Sequence, residues 1–214
     1  MKTKEITLIS IFAAFWIIAE TILGPVVGRF SLGPFTLHGV VNRIVGWMLM
    51  LILAKVTGRF GRITIMVLTA SLATRLLRAS ALEALVVGVG YVFGGLLFDI
   101  IIFLPSLRNL QGKVGTVHVF SASFASGLTA SAPYLLLSLF LVGPFGFAAA
   151  SLIYTYSTVK GAVFSLLGTS VGLILLPRIA PLYHRSATSF ETVQERGFVS
   201  TPSIQLHPHT RPED

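Results

Sequence analysis

The chain has no cysteine among its 214 residues, and charge is scarce. Without cysteine there is no disulfide framework, thiolate metal site or cysteine nucleophile. Charged residues make up only 11% of the chain, where a soluble domain carries roughly 25%. Acids are the scarcest. Only Glu20, Glu83 and Asp99 lie between Ile6 and Leu176. A carboxylate inside an apolar span is costly unless it faces protein or water, so these three are the first candidates for function.

Motifs of common chemistries are missing as well. No G-x-x-x-x-G-K-[ST] phosphate loop occurs, which excludes ATP hydrolysis by that device. Gly88-Val89-Gly90 with Gly94-Gly95 lies inside an apolar run and reads as helix packing, not a nucleotide fingerprint. There is no H-E-x-x-H motif, His38 and His118 are isolated, and His207 and His209 sit in a polar tail. No metal site and no cofactor are therefore expected.

What the chain does contain is long apolar runs. Hydrophobic residues make up 54% of it, and its mean hydropathy is +0.84. A membrane span needs about 20 predominantly apolar residues. Six stretches qualify or nearly do: 6–23, 40–56, 63–77 (rather short), 82–104, 117–142 with Pro133 as a kink, and 157–176. Lys2 and Lys4 precede the first run with no small-x-small cleavage site behind it, so it reads as a span and not a cleaved leader. The segment 24–38 is broken by Gly and Pro and reads as a loop or short re-entrant piece. The apolar, aromatic stretch 143–156 reads as interfacial. The expected fold is an all-α membrane protein, a bundle of about six transmembrane helices over residues 1–177. Residues 178–214 turn polar, with prolines at 181, 202, 208 and 212, and are expected to form a disordered cytoplasmic tail because they cannot bury enough apolar surface.

The net charge of +8 belongs to this topology. Basic residues cluster in short loops between apolar runs, as orientation signals do, which sets nucleic acid aside. With the N-terminus inside, the inner segments hold Lys2, Lys4, Lys55, Arg59, Arg62, Arg108, Lys113, Arg178 and Arg185. The outer ones hold Arg29, Arg43, Arg75, Arg78 and Lys160. The bias places both termini in the cytoplasm.

The same topology gathers polar groups at the outer span ends. They are Glu20 on the first span, Asn42 and Arg43 on the second, Arg75 and Arg78 on the third, Glu83 on the fourth, and Tyr154, Tyr156 and Lys160 around the start of the sixth. Polar groups at one depth point to a water-accessible pocket. For Arg75, Arg78 and Lys160, snorkelling to headgroups is an equal reading. A Glu20–Arg43 ion pair would neutralise both charges. Asp99 falls near the inner end of its span, where a structural pairing with Arg108 or Lys113 is expected. Trp16, Trp47, Tyr91, Phe93, Phe98 and Tyr134 add aromatic surface, of which one or two rings suit stacking on a flat ligand. Small residues at four-residue spacing mark close helix approaches: Ser10 and Ala14; Gly90 and Gly94; Ser123, Gly127 and Ser131; Gly168 and Gly172. In the first span this face also suits docking onto another membrane protein.

Six short spans, the small-residue run Ile9-Ser10-Ile11-Phe12-Ala13-Ala14, the broken loop after it, the basic loop Gly58-Arg59-Phe60-Gly61 and the Gly-x-Gly span ending in Asp99 give a pattern. It resembles the substrate-binding S components of energy-coupling factor (ECF) vitamin transporters, most of all the hydroxymethylpyrimidine/thiamine type. The resemblance covers residues 5–176 and is one of layout. It implies a membrane-embedded subunit that captures a small vitamin or precursor from outside, for uptake driven by a transmembrane T component and two ATPase subunits. It implies substrate binding by Glu20, Asn42, Arg43, Arg75, Glu83 and Tyr154. It implies partner coupling by Ser10, Ala13, Ala14 and Ile17. The Met-His-Ile start of the cobalt/nickel members is replaced by Met-Lys-Thr, against metal uptake; the polar tail departs from the family pattern. Two other classes stay open: a membrane enzyme using Glu20, Glu83 or Asp99 as acid or base, and a subunit that only assembles others.

Overall fold

The computed structural model describes residues 3–32, 35–36, 39–77, 82–103 and 113–198, with the backbone alone for 31–32, 35–36, 77, 82–84, 113–114 and 180–198. Apart from a two-stranded hairpin, the described chain is helical. Helix α1 (Thr3–Ile18) runs into a π-helical turn at Ala19–Leu23 and a short α2 (Gly24–Gly28). Strands β1 (Ser31–Leu32) and β2 (Phe35–Thr36) pair antiparallel. Then follow α3 (Val40–Thr57), α4 (Arg62–Leu77), α5 (Leu82–Phe103), α6 (Lys113–Thr129), α7 (Ala132–Ala149) and α8 (Ser151–Phe198). The chain divides into two compact units, Met1–Leu176 and Pro177–Asp214.

Among the described residues, five helical segments are long and apolar enough to cross a membrane: Thr3–Gly28, Val40–Thr57, Leu85–Phe103, Gly115–Ala149 and Ser151–Ile179. This is the character of a multi-pass membrane protein. The expected third span is the helix α4, but at 16 residues it would extend only ~24 Å, less than the hydrocarbon core of a bilayer, about 30 Å thick. The loop expected over 24–38 is in part helix, because the π turn carries α1 directly into α2. The expected fifth span is two helices, α6 and α7. They are interrupted at Ala130–Ser131, next to Pro133, which cannot donate a backbone hydrogen bond. A second break falls at Gly143, whose φ of 72° is open to glycine and strained for other residues. Helix α8 starts at Ser151 instead of 157 and continues past Pro177 to Phe198. Residues 199–214 lie outside the described set.

Helix α3 is the centre of the bundle. Its apolar window is 56% buried, against 28% for the first candidate span and 6% for Gly115–Ala149. Trp47, Met50, Leu51 and Leu53 of α3 meet Trp16 of α1, Met66 and Val67 of α4, and Tyr91 and Phe98 of α5. Small residues allow the close approaches. A Cβ on Gly94 of α5 would lie 2.9 Å from Ala130 Cβ and from Ser126 O, and one on Gly127 of α6 would lie 2.8 Å from Ser165 Oγ of α8. Gly90 packs on the Ala130 carbonyl and Gly168 on the Ile44 carbonyl. These small-residue faces therefore bury themselves within the bundle. A polar ladder crosses the same seams. Trp47 Nε1 donates to Ser126 Oγ at 2.7 Å, Ser126 Oγ to Ser123 O at 3.0 Å, and Thr169 Oγ1 to Ser123 Oγ at 2.7 Å.

One end of the unit is closed by charges. Glu5 takes Arg59 Nη1 at 2.7 Å and Arg62 Nη2 at 2.8 Å, tying the start of α1 to the α3–α4 turn. Asp99 is fully buried; the basic partners expected for it, Arg108 and the side chain of Lys113, lie outside the described residues. Asp99 Oδ2 accepts from Gly61 N at 2.8 Å, Thr64 N at 3.2 Å and Thr64 Oγ1 at 2.8 Å. An α5 carboxylate thus caps the N-terminus of α4, satisfying backbone N–H groups that have no partner in their own helix and meeting the positive end of its dipole. Hydrogen bonds to a charged group contribute about 1.5–3 kcal/mol each. Asp99→Ala is expected to lower stability by about 2 kcal/mol or more, and Asp99→Asn, which keeps an acceptor, by less. Thermal melting of the purified chain in detergent checks this; equal melting of Asp99→Ala and the unaltered chain would refute the cap.

Candidate functional site

At the other end, the helices part around a cavity of about 410 Å³. Its lining includes Glu20 from the π turn, Asn42 and Arg43 from α3, Arg75 from α4, Val87 and Tyr91 from α5, and Ser131 and Tyr134 at the α6–α7 junction. Helix α8 adds Tyr154, Ser157, Thr158, Lys160, Gly161 and Phe164. Of the residues singled out for substrate, the structure brings Glu20, Asn42, Arg43, Arg75 and Tyr154 to this one cavity. The side chain of Glu83 and the whole of Arg78 lie outside the described residues.

Local backbone geometry places Glu20. Pro25 has no N–H to return to the preceding turn, and the Gly24 N–H reaches back five residues to Ala19 O, the π-helical spacing. The extra residue in the turn sits where Glu20 is buried, 5% exposed. Its carboxylate receives Arg75 Nη2 at 2.8 Å, both side chains being less than a tenth exposed. The ion pair shown for Glu20 thus joins α1 to the end of α4, and not to Arg43 as expected. The Arg75 Nε is buried and has no hydrogen-bond acceptor among the described residues.

Arg43 is held differently. Nη1 donates to Gly127 O at 2.8 Å and Nη2 to Ser131 Oγ at 3.2 Å. Its guanidinium carbon lies 5.1 Å from the ring centroids of both Trp47 and Tyr91, within range for cation–π attraction. Gly161 keeps α8 close, since a Cβ there would lie 3.1 Å from Arg43 Cζ. Asn42 accepts from Trp16 Nε1. Tyr91 packs edge-on to Trp16 and Trp47, at 5.9 and 6.1 Å between centroids. Of the aromatics, Tyr91 and Tyr134 line the cavity; Trp16, Trp47 and Phe98 are buried behind it, and Phe93 is exposed. Tyr154 stacks on Phe147 at 4.8 Å. Lys160 Nζ lies 5.4 Å over the Tyr156 ring.

The contribution of α8 was readable in part. Tyr154, Ser157, Thr158 and Gly161 follow an i, i+3, i+4, i+7 pattern, a polar stripe on an apolar helix. Ser131 read only as a packing residue and Tyr134 only as one of several rings; both flank Pro133 at the α6–α7 break and line the cavity. Of the described acids, Glu20 and Asp99 stand apart from each other. Asp99 serves Thr64 and Glu20 serves Arg75, eleven residues apart on α4, or ~16 Å along the axis. Of the residues suggested for partner coupling, Ser10 and Ala14 lie on the exposed side of α1, Ala13 is buried, and Ile17 packs on the core.

Fold and site together define a helical bundle of multi-pass membrane character with a charged cavity at one end. No protein-family model, curated protein or solved structure matches the chain.

Removing one partner of a buried ion pair leaves the other charge unmet, at a cost of about 3–5 kcal/mol. Glu20→Gln is expected to destabilise the bundle by about 3 kcal/mol, and the double variant Glu20→Gln/Arg75→Gln by less than the sum of the single changes. A double-mutant cycle on thermal or denaturant unfolding in detergent measures this. Additive losses would show that the pair is not coupled.

Proposed function

We propose that this protein is a membrane-embedded binding subunit that captures a small vitamin or precursor, of the thiamine/hydroxymethylpyrimidine kind, from the outer side of the cell membrane. The part it plays is that of an ECF-type S component, delivering the ligand to a T component driven by two ATPase subunits. The observation that carries the reading is the cavity. The buried Glu20 and Arg75 side chains and half-buried Arg43 converge there from three helices. Charged groups at membrane depth are costly, and they mark ligand paths more often than scaffolding. The volume, about 410 Å³, lies in the range of small-molecule sites, roughly 300–1,000 Å³. Both termini face the cytoplasm in this reading, with the Glu5–Arg59–Arg62 end inside and the cavity outside, as the distribution of Lys and Arg favours.

Purified in detergent, the full chain is expected to carry one small molecule by native mass spectrometry, or to take up thiamine or hydroxymethylpyrimidine with a rise in melting temperature. Ligand at 100 times its Kd contributes about 2.7 kcal/mol. A protein that carries nothing and responds to no vitamin would overturn the reading.

Ser10 and Ala14 supply the small exposed face for the T component. Ala14→Leu is expected to abolish co-purification with the T component while ligand binding stays within about twofold. Retained co-purification would remove this face from the interface.

A further inference from the structure

Resting on that binding role, we propose that Gly161 is a positioning residue of the cavity: having no side chain, it lets α8 lie against the flat face of the Arg43 guanidinium and so aims that group's N–H donors at the ligand. Gly161 is buried and lines the cavity together with Arg43. A Cβ added to it would lie 3.1 Å from Arg43 Cζ, 3.2 Å from Nη2 and 3.4 Å from Nε. The central carbon is nearer than either nitrogen, so a methyl would land on the face of the guanidinium and not at its edge. At such distances one side must give by a few tenths of an ångström. The arginine has little freedom to do so. The Gly127 carbonyl holds Nη1 at 2.8 Å, the Ser131 hydroxyl holds Nη2 at 3.2 Å, and the ring centroids of Trp47 and Tyr91 stand 5.1 Å from Cζ. Moving the guanidinium strains these contacts, and moving α8 widens the cavity. Either change misaligns the donors, and a hydrogen bond weakens steeply as its angle opens. A neutral ring nitrogen or hydroxyl oxygen, both present in hydroxymethylpyrimidine, suffices as the ligand's acceptor.

Conformation does not call for glycine at 161. The residue lies within helix α8 and has no positive φ, and alanine is the better helix former. Room is what glycine supplies, and Arg43 occupies the room. Gly88 of α5 stands in the same relation to Arg75, where a Cβ would lie 3.2 Å from Cγ and 3.3 Å from Nε. Further along α8 the glycines meet α3 without touching an arginine. Gly168 faces the Ile44 carbonyl, and a Cβ on Gly172 would lie 3.2 Å from Leu51 Cδ2 and from Met48 O. Neither of these two lines the cavity.

The full-length chain in neutral detergent is titrated with thiamine and with hydroxymethylpyrimidine. Gly161→Ala is expected to bind about tenfold more weakly, the loss of one hydrogen bond from a charged donor, while its melting temperature without ligand stays close to that of the unaltered chain. Gly172→Ala, a similarly tight position on the same helix, is expected to stay within about twofold in affinity. In an Arg43→Lys background, Gly161→Ala should cost at most about twofold further, because an ammonium on a flexible stem yields where a pinned, planar guanidinium does not. Equal affinity of Gly161→Ala and the unaltered chain, a matching loss in Gly172→Ala, or the full tenfold loss on top of Arg43→Lys would overturn the positioning role while the binding role stands. If Gly161→Ala does not fold, the double variant Arg43→Lys/Gly161→Ala decides. A folded double variant supports the contact with Arg43, and one that also fails to fold makes Gly161 a packing residue and overturns the proposal. If the unaltered chain binds neither compound and nothing co-purifies, the binding role itself falls, and the positioning role with it.

Discussion

A polar group inside an apolar bundle must find its partner within the protein, and the rest of this structure depends on that constraint. Neither lipid nor core side chains can replace water around a charge. Each buried ionic or hydrogen-bonding group therefore pins two elements together. Asp99 fixes α5 to the start of α4, Glu20 fixes α1 to its end, Glu5 fixes α1 to the α3–α4 turn, and Arg43 fixes α3 to the α6–α7 junction. The contacts that orient these helices are few and polar, while the apolar contacts between them fill space without choosing a register.

The close approaches allowed by small residues decide how near those polar groups come. Gly161 brings α8 against the Arg43 guanidinium, and Gly127 brings α6 against Ser165. A bulkier residue at either place would push α8 outward and open the end where the cavity lies. Packing and site are thus two results of one set of spacings. The broken helices serve the same end. The π turn before Pro25 and the kink beside Pro133 fall at cavity height, where they free Glu20 and Ser131 from regular helix faces. Backbone irregularity at membrane depth is tolerated where it is buried in protein or lines a cavity.

Much of this was legible beforehand. The apolar runs marked the helices, because nothing else makes stretches of that length and purity. Counting span ends placed Glu20, Asn42, Arg43, Arg75 and Tyr154 at one depth, and they do line one cavity. Pairings were not legible. Arg43 is near enough in sequence depth to have met Glu20, and only the crossing of α1 over α4 gives that carboxylate to Arg75. The capping role of Asp99 was not legible either, because the N–H groups of Gly61 and Thr64 that it accepts come from the start of α4, more than thirty residues away in sequence. Helical continuity past Pro177 was missed because proline and polarity were read as a stop, whereas a helix can give up one hydrogen bond and continue.

By itself the sequence determined that the chain builds apolar helices, where they run and at which ends the polar groups sit, since hydropathy and charge act locally, residue by residue. Only the tertiary structure decided which helix faces which, which of the cations is neutralised by Glu20, and that Arg43 keeps its charge among ring faces and neutral oxygens. Partner choice depends on distances of a few ångströms between segments far apart in the chain, and the Coulomb and hydrogen-bond energies that distinguish one partner from another exist only at those distances.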